Sequence, residues 1–230
     1  MQAKQLLDQL LPCHCVLCGL FSGSENLCPP CAAEMPYNPS ACALCGLPLP
    51  AQPGKVCGAC LKKPPAWDGT VVGLQYQFPV DQLVCRFKYN RNLACGQALG
   101  GFLLQAIHNS SEPLPQAIVP VPLHRSRLFS RTFNQAQMLA QQLSRPLKIP
   151  VRHALLRRTR RTRAQSGLDF SQRRKNVRGA FNCHQHNLKH VAIVDDVMTT
   201  GRTLEECTRS LKRAGAESVT AWVAARAVYK

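Results

Sequence analysis

V-A-I-V-D-D-V-M-T-T-G-R-T-L, residues 191 to 204, changes character twice. Val191 to Val194 is a continuous apolar run dominated by β-branched residues, the pattern of a strand buried on both faces. Asp195 and Asp196 follow, where that strand is expected to end. Thr199, Thr200, Gly201, Arg202 and Thr203 then supply hydroxyls, a residue free to take positive φ, and a run of backbone N–H groups. Leu204, Cys207, Leu211 and Ala214 recur at spacings of three and four, which predicts a helix with Gly215 as its C-terminal cap. Ser218 to Val228 reads as another strand. Strand, helix and strand joined this way form a right-handed parallel crossover, so the expected class is α/β with a parallel sheet flanked by helices.

At the carboxyl end of such a strand, an acidic pair followed by an anion-cradling turn suits a phosphorylated sugar. Carboxylates accept hydrogen bonds from hydroxyls, and the turn donates to a phosphate. Upstream, Ala117 to Val121 predicts a second buried strand, which ends in Pro122, Leu123, His124 and Arg125. Arg125, Arg127 and Arg131 crowd the following loop, and Asn134 to Leu143 returns to helical spacing. Basic groups beside an acidic pair on a neighbouring strand suit a pyrophosphate leaving group at Leu123, His124 and Arg125. Residues 69 to 78 alternate with Val72, Leu74, Tyr76 and Phe78 on one face, as in a strand. Val80 to Tyr89 and Leu93 to Ile107 read as helices. Residues 152 to 178 hold ten Arg and Lys against the single Asp169. Two readings stay open for that segment: a lid over a polyanionic substrate, or a nucleic-acid surface. Phe170 is the only aromatic residue inside it, which weighs against base stacking.

The first 60 residues follow another logic. Four C-x-x-C pairs occur there: Cys15 and Cys18, Cys28 and Cys31, Cys42 and Cys45, Cys57 and Cys60. Each pair turns two sulfurs toward one ion, and two pairs complete a tetrahedral four-cysteine zinc site, so two structural Zn²⁺ are expected. Loops this short have little core of their own, and metal would supply much of their folding energy. Pairing within each successive unit is the expectation, with crossed pairing as the alternative. Cys13, with His14, is an alternative to Cys15 at the first site. Cys85, Cys95, Cys183 and Cys207 lack such partners and are expected in the core or half-buried. A short amphipathic helix over residues 3 to 11 is expected to dock on the metal module. Pro64-Pro65 marks the expected boundary between a zinc module at 1–64 and the α/β domain at 65–230.

The 230 residues carry 45% hydrophobic side chains, as a globular protein does. The first twelve residues do not read as a signal peptide, and no apolar run reaches the roughly 20 residues of a membrane span. The expected location is the cytoplasm, where thiols stay reduced and available to zinc. The formal charge is +17. Two Zn²⁺ on eight thiolates change it by −4, to about +13. A chain this basic favours polyanions, nucleic acid and pyrophosphate among them.

V-D-D-V-M-T-T-G-R-T resembles the 5-phosphoribosyl 1-diphosphate (PRPP) signature of type I phosphoribosyltransferases. Taken with I-V-P-V-P-L-H-R-S-R-L-F-S-R-T-F-N-Q-A at 118–136, L-x-R-x-x-x-T-x-x-Q at 156–165, R-K-N-V-R-G-A-F at 174–181 and the four cysteine pairs, the chain resembles the ComF/GntX family. That family has a double zinc ribbon before a phosphoribosyltransferase-like domain. One departure is Thr132, where the family's R-G-F-N-Q motif has Gly. The resemblance implies that Asp195 and Asp196 contact the ribose 2′- and 3′-hydroxyls and that Thr199 to Thr203 hold the 5′-phosphate, with Mg²⁺ arriving on PRPP. It links the chain to DNA uptake and natural transformation. Two functions follow: a phosphoribosyltransferase, or an accessory protein that binds single-stranded DNA or a translocation helicase.

Overall fold

The computed structural model describes residues 13–49, 55–123, 133–159 and 179–228. The expected helix at 3–11, His124, Arg125, Arg127, Arg131, Thr132 and most of the basic 152–178 segment lie outside the described residues.

Four parallel strands make the main sheet. They are β3 (Gly69–Gln75), β4 (Ala117–Pro120), β7 (His190–Met198) and β8 (Ser218–Arg226), in the spatial order β3-β8-β7-β4. The sequence reading of β3 needs correction. The strand stops at Gln75, and Val71, Val72 and Leu74 are all buried, so both faces are covered rather than one. Phe78 is 71% exposed, just before the next helix. Parallel strands flanked by crossovers lose the half-polar alternation that marks a one-sided strand.

Helices α3 (Val80–Tyr89), α4 (Leu93–His108) and α5 (Gln135–Leu147) pack on one face. α3 buries Val80, Leu83, Val84 and Phe87, the stripe its spacing predicts. Asn134 caps α5 by accepting a hydrogen bond from the Ala136 N–H at 3.1 Å. The other face carries α6 (Arg202–Arg213), whose Leu204, Cys207 and Leu211 meet Val191, Ile193, Val219 and Val223. A short antiparallel pair lies there too, β5 (Leu156–Arg158) with β6 (Phe181–Cys183). At three residues each, these strands are too short to show a period in the sequence. Cys95 and Cys207 are buried and Cys183 is half-buried as expected, but Cys85 is exposed because it falls on the outer face of α3.

The two cysteine units repeat one design. In the first come β1 (Cys13–His14), β2 (Phe21–Gly23) and α1 (Pro29–Ala33); α2 (Gly58–Lys62) closes the second. The knuckles C-V-L-C-G-L and C-A-L-C-G-L make matching bonds. Gly19 N–H donates to the Cys15 carbonyl at 2.9 Å, and Gly46 N–H to that of Cys42 at 2.8 Å. Both glycines take positive φ, 76° and 67°. The knuckle residues between the ribbons' cysteines do not hang free of the sheet. β3 is an edge strand whose outer groups need cover. Thr70 N–H donates to the Ala43 carbonyl at 2.8 Å, and Gln75 N–H to that of Pro36 at 2.8 Å. Cys15, Leu27, Cys28 and Met35 join the same core as Leu74, Leu83 and Leu103.

Candidate ligand site and metal centres

The acidic pair sits inside β7, not at its end, because the strand continues through Met198. β4 stops sooner. Its Pro120 pairs with Val194, and the last bond between these segments runs from Val121 N–H to the Val194 carbonyl at 2.9 Å. Residues 195 to 198 therefore project past β4. Crevices beyond the carboxyl ends of parallel strands are where α/β folds bind ligands. Leu123 lies two residues past that last bond, and His124 and Arg125 lie outside the described residues.

Alternation along β7 separates the two carboxylates. Asp195 shares a face with Ile193, on the α6 side, and Asp196 shares one with Val194, on the α3 side. Asp195 Oδ1 accepts from Asp196 N–H at 2.9 Å, and Asp196 Oδ1 from Val197 N–H at 2.7 Å. Burial, then the charge of Asp196, pushes the Asp195 carboxyl up to about 7, against the opposing pull of Lys88. Asp196 is 6% exposed and forms an ion pair with Lys88 of α3, Nζ to Oδ2 3.0 Å. Lys88 escaped the sequence reading as a site residue. Nothing in the spacing of α3 says that its carboxyl end points at β7; packing does.

Past Met198 the chain turns through Thr199 and Thr200 to Gly201, which takes φ 73° as the N-cap of α6. As a glycine, this N-cap has no side chain with which to cap the helix end. The helix dipole favours an anion at this end. Gly201 also has a packing reason to lack a Cβ, since one built there would lie 2.7 Å from Trp67 Cη2.

The metal centres pair within each unit. Cys15, Cys18, Cys28 and Cys31 form one cluster and Cys42, Cys45, Cys57 and Cys60 the other, with the sulfurs of each within 4.8 Å of one another. Crossed pairing is ruled out, and Cys13 belongs to neither cluster. Zinc–sulfur bonds of about 2.3 Å in a tetrahedron put sulfurs roughly 3.8 Å apart. Cys18 to Cys28 at 3.6 Å and Cys45 to Cys57 at 3.7 Å fit that requirement. At Cys15, burial opposes ionisation, but backbone hydrogen bonds outweigh it and hold the thiol down at about 6. Cys42, under the same opposition, lies at about 7. Donors already aimed at one sulfur of each cluster prepare it to bind metal as thiolate.

The chain matches a double zinc ribbon domain over residues 6–61 and a phosphoribosyl transferase domain over residues 134–228. It is 36% identical to Competence protein F of Haemophilus influenzae over 224 residues, 93% of this chain and 97% of that protein. It is 35% identical to the DNA utilization protein YhgH of Escherichia coli K12 over 223 residues, 94% of this chain and 98% of that one. Among solved structures, adenine phosphoribosyltransferase from Leishmania tarentolae is similar with a TM-score of 0.38 at 17% identity, covering 68% of this chain and 76% of that one. Fold and cysteine clusters define a phosphoribosyltransferase-like α/β protein with an amino-terminal double zinc ribbon. Within that class the chain belongs to the ComF/GntX family of competence-associated proteins. Among the described residues, no helix is long and apolar enough to cross a membrane.

Proposed function

We propose that this chain binds Mg²⁺-PRPP across the carboxyl end of β7 and works in the cytoplasm in the use of incoming DNA. The observation that carries the proposal is the succession, where β7 outruns β4, of Asp195, Asp196 and the positive-φ Gly201 that opens α6. Asp195 and Asp196 accept from the ribose hydroxyls. In this reading Thr199, Thr200, Gly201, Arg202 and Thr203 bind the 5′-phosphate, and Leu123, His124 and Arg125 bind the diphosphate. In the transferase reading an acceptor attacks C1 of the ribose, the bond from C1 to the diphosphate oxygen breaks, and pyrophosphate leaves with its Mg²⁺. The Asp196 charge favours the positive charge that builds on the ring. Residues 1–64 serve as the zinc module and 65–230 as the ligand-binding domain in this division.

A second reading, non-catalytic binding of single-stranded DNA or a translocation helicase, draws on the +17 charge and on the names of the two relatives. Arg157 and Arg158 on β5 lead into the basic segment that continues with Arg160, Arg161 and Arg163.

Calorimetry with Mg²⁺-PRPP tests the site. Each charge-assisted hydrogen bond contributes about 1.5 to 3 kcal/mol, so Asp195→Asn with Asp196→Asn should abolish measurable binding. Unchanged affinity in the double variant would remove the site from β7. Pyrophosphate release that depends on single-stranded DNA or another acceptor separates enzyme from accessory protein. For the DNA reading, binding should weaken with salt at a log–log slope of roughly −0.7 per phosphate neutralised. Replacing Arg157, Arg158, Arg160, Arg161 and Arg163 by Ser should flatten that slope.

A further inference from the structure

Two buried side chains tie the second zinc ribbon to the turn at Thr199 to Thr203. Arg226, the last residue of β8, is 6% exposed in a chain rich in solvated arginines. Its Nε donates to the Cys45 carbonyl at 2.7 Å. Its Nη1 donates to the carbonyls of Met198 at 3.0 Å, Thr199 at 2.5 Å and Ala227 at 2.7 Å. One rigid guanidinium therefore spans from a metal-ligand residue to the start of the turn. A lysine ammonium cannot copy that planar fork.

Trp67 makes the second link. Its Nε1 donates to the Leu44 carbonyl at 2.5 Å, inside the same knuckle, and to Thr70 Oγ1 at 2.8 Å. Thr70 Oγ1 itself donates to the Leu44 carbonyl at 2.6 Å. The far edge of the indole supports Gly201, so closely that no Cβ would fit between them. The neighbouring Ala66 N–H donates to Glu205 Oε2 in the first turn of α6 at 3.0 Å. The first ribbon reaches the α/β domain elsewhere, through Arg86 of α3 to the Val16 carbonyl and Asn26 to Gln97 of α4.

We infer that Arg226 and Trp67 are positioning residues that make the second zinc site, and not the first, a structural part of the phosphate turn. Metal at Cys42, Cys45, Cys57 and Cys60 fixes the Leu44 and Cys45 carbonyls; those carbonyls fix Trp67 and Arg226; these hold the backbone of residues 198 to 201. Because linkage is reciprocal, a sugar phosphate on the turn must strengthen retention of the second metal. The inference rests on the phosphate-turn reading for its ligand, though not for the coupling itself.

The test uses the full zinc-loaded chain, with ribose 5-phosphate as the probe because it needs no divalent cation. Thiol alkylation under a zinc chelator, mapped by mass spectrometry, follows each cluster separately. Ligand should slow labelling of Cys42, Cys45, Cys57 and Cys60 by roughly 5-fold or more. Labelling of Cys15, Cys18, Cys28 and Cys31 should stay unchanged. Arg226→Lys and Trp67→Phe should each remove most of that protection, an effect that plain destabilisation would spread over both clusters. Equal protection of the two clusters, or none at the second while ligand binds, overturns the inference. If the wild type binds neither ribose 5-phosphate nor PRPP, the proposed function fails instead, and amide hydrogen exchange decides the coupling. Stripping the second site should then speed exchange at residues 198 to 203, whereas unchanged exchange there overturns the coupling by itself.

Discussion

The two ribbons share their chemistry and differ in what leans on them. In both, a C-x-x-C-G-L knuckle presents its backbone carbonyls outward, and the residue after the first cysteine finds a partner in the α/β domain. For the first ribbon that partner is a side chain, Arg86, reaching the Val16 carbonyl at 2.5 Å. For the second it is the backbone of β3, where Thr70 N–H meets Ala43, and the next two carbonyls are taken by Trp67 and Arg226. The first ribbon's side-chain bonds go to helices, and the second ribbon's bonds go to the edge of the sheet and the turn after β7. Identical metal sites therefore carry different consequences, because coupling runs through the atoms that each knuckle touches.

The largest test of that difference removes one thiolate from each cluster. Cys18→Ser and Cys45→Ser should each lose about one zinc by elemental analysis, and with it metal-coupled folding free energy on the order of 10 kcal/mol. Only Cys45→Ser should also lose PRPP binding in calorimetry. Equal loss in both variants would make the ribbons equivalent and erase the contrast.

A smaller test uses the glycines that follow the second cysteine of each knuckle. A methyl group at Gly19 meets nothing within 4 Å, whereas at Gly46 it would lie 2.4 Å from Val72 Cγ2. Gly19→Ala should cost about 1 to 2 kcal/mol, the strain of a left-handed backbone alone. Gly46→Ala should cost that and a further overpacking penalty of about 1 to 3 kcal/mol. Denaturant midpoints of the two variants check the order, and equal midpoints would mean that the second ribbon gives way at β3.

The smallest effect belongs to the sheet end and should leave both ribbons untouched. Folded Asp195 holds its proton up to about 7, above its ordinary value of 3.8. The folded state thus binds more protons than the unfolded chain between those values, and its stability should fall as pH rises from about 4 to 7. Ligand affinity should move the opposite way, since the ionised carboxylate is the better acceptor for ribose hydroxyls. Asp195→Asn should flatten both trends. A wild-type affinity that does not change from pH 6 to 8, on either side of that value of about 7, would take Asp195 out of the site.

Much of this was legible in the chain because local pattern and local structure coincide. Spacing of three and four in Val80, Leu83, Val84 and Phe87 is itself the geometry of a buried helix face. Four C-x-x-C pairs bring sulfurs together over a few residues, and an apolar run before Asp195-Asp196 marks a buried strand. The reading failed where a neighbour decides the outcome. β3 loses its expected polar face because α4 covers one side and Trp67 with the second ribbon lies against the other. β7 runs on through its carboxylates because β8 still pairs with it, Asp195 opposite Val223 and Met198 opposite Arg226.

Sequence alone determined the parallel α/β class, the cysteine sets and the glycine turn that opens α6, since each is written in residues that are neighbours along the chain. Tertiary structure alone decided which cysteines share a cluster, that the two carboxylates leave β7 on opposite faces, and that Lys88 meets Asp196. It also decided that Arg226 joins Cys45 to Thr199. Those partners are 108 residues apart for Lys88 and Asp196 and 181 for Cys45 and Arg226. No period or spacing records a contact made by folding one face of the sheet against a distant loop; only packing does.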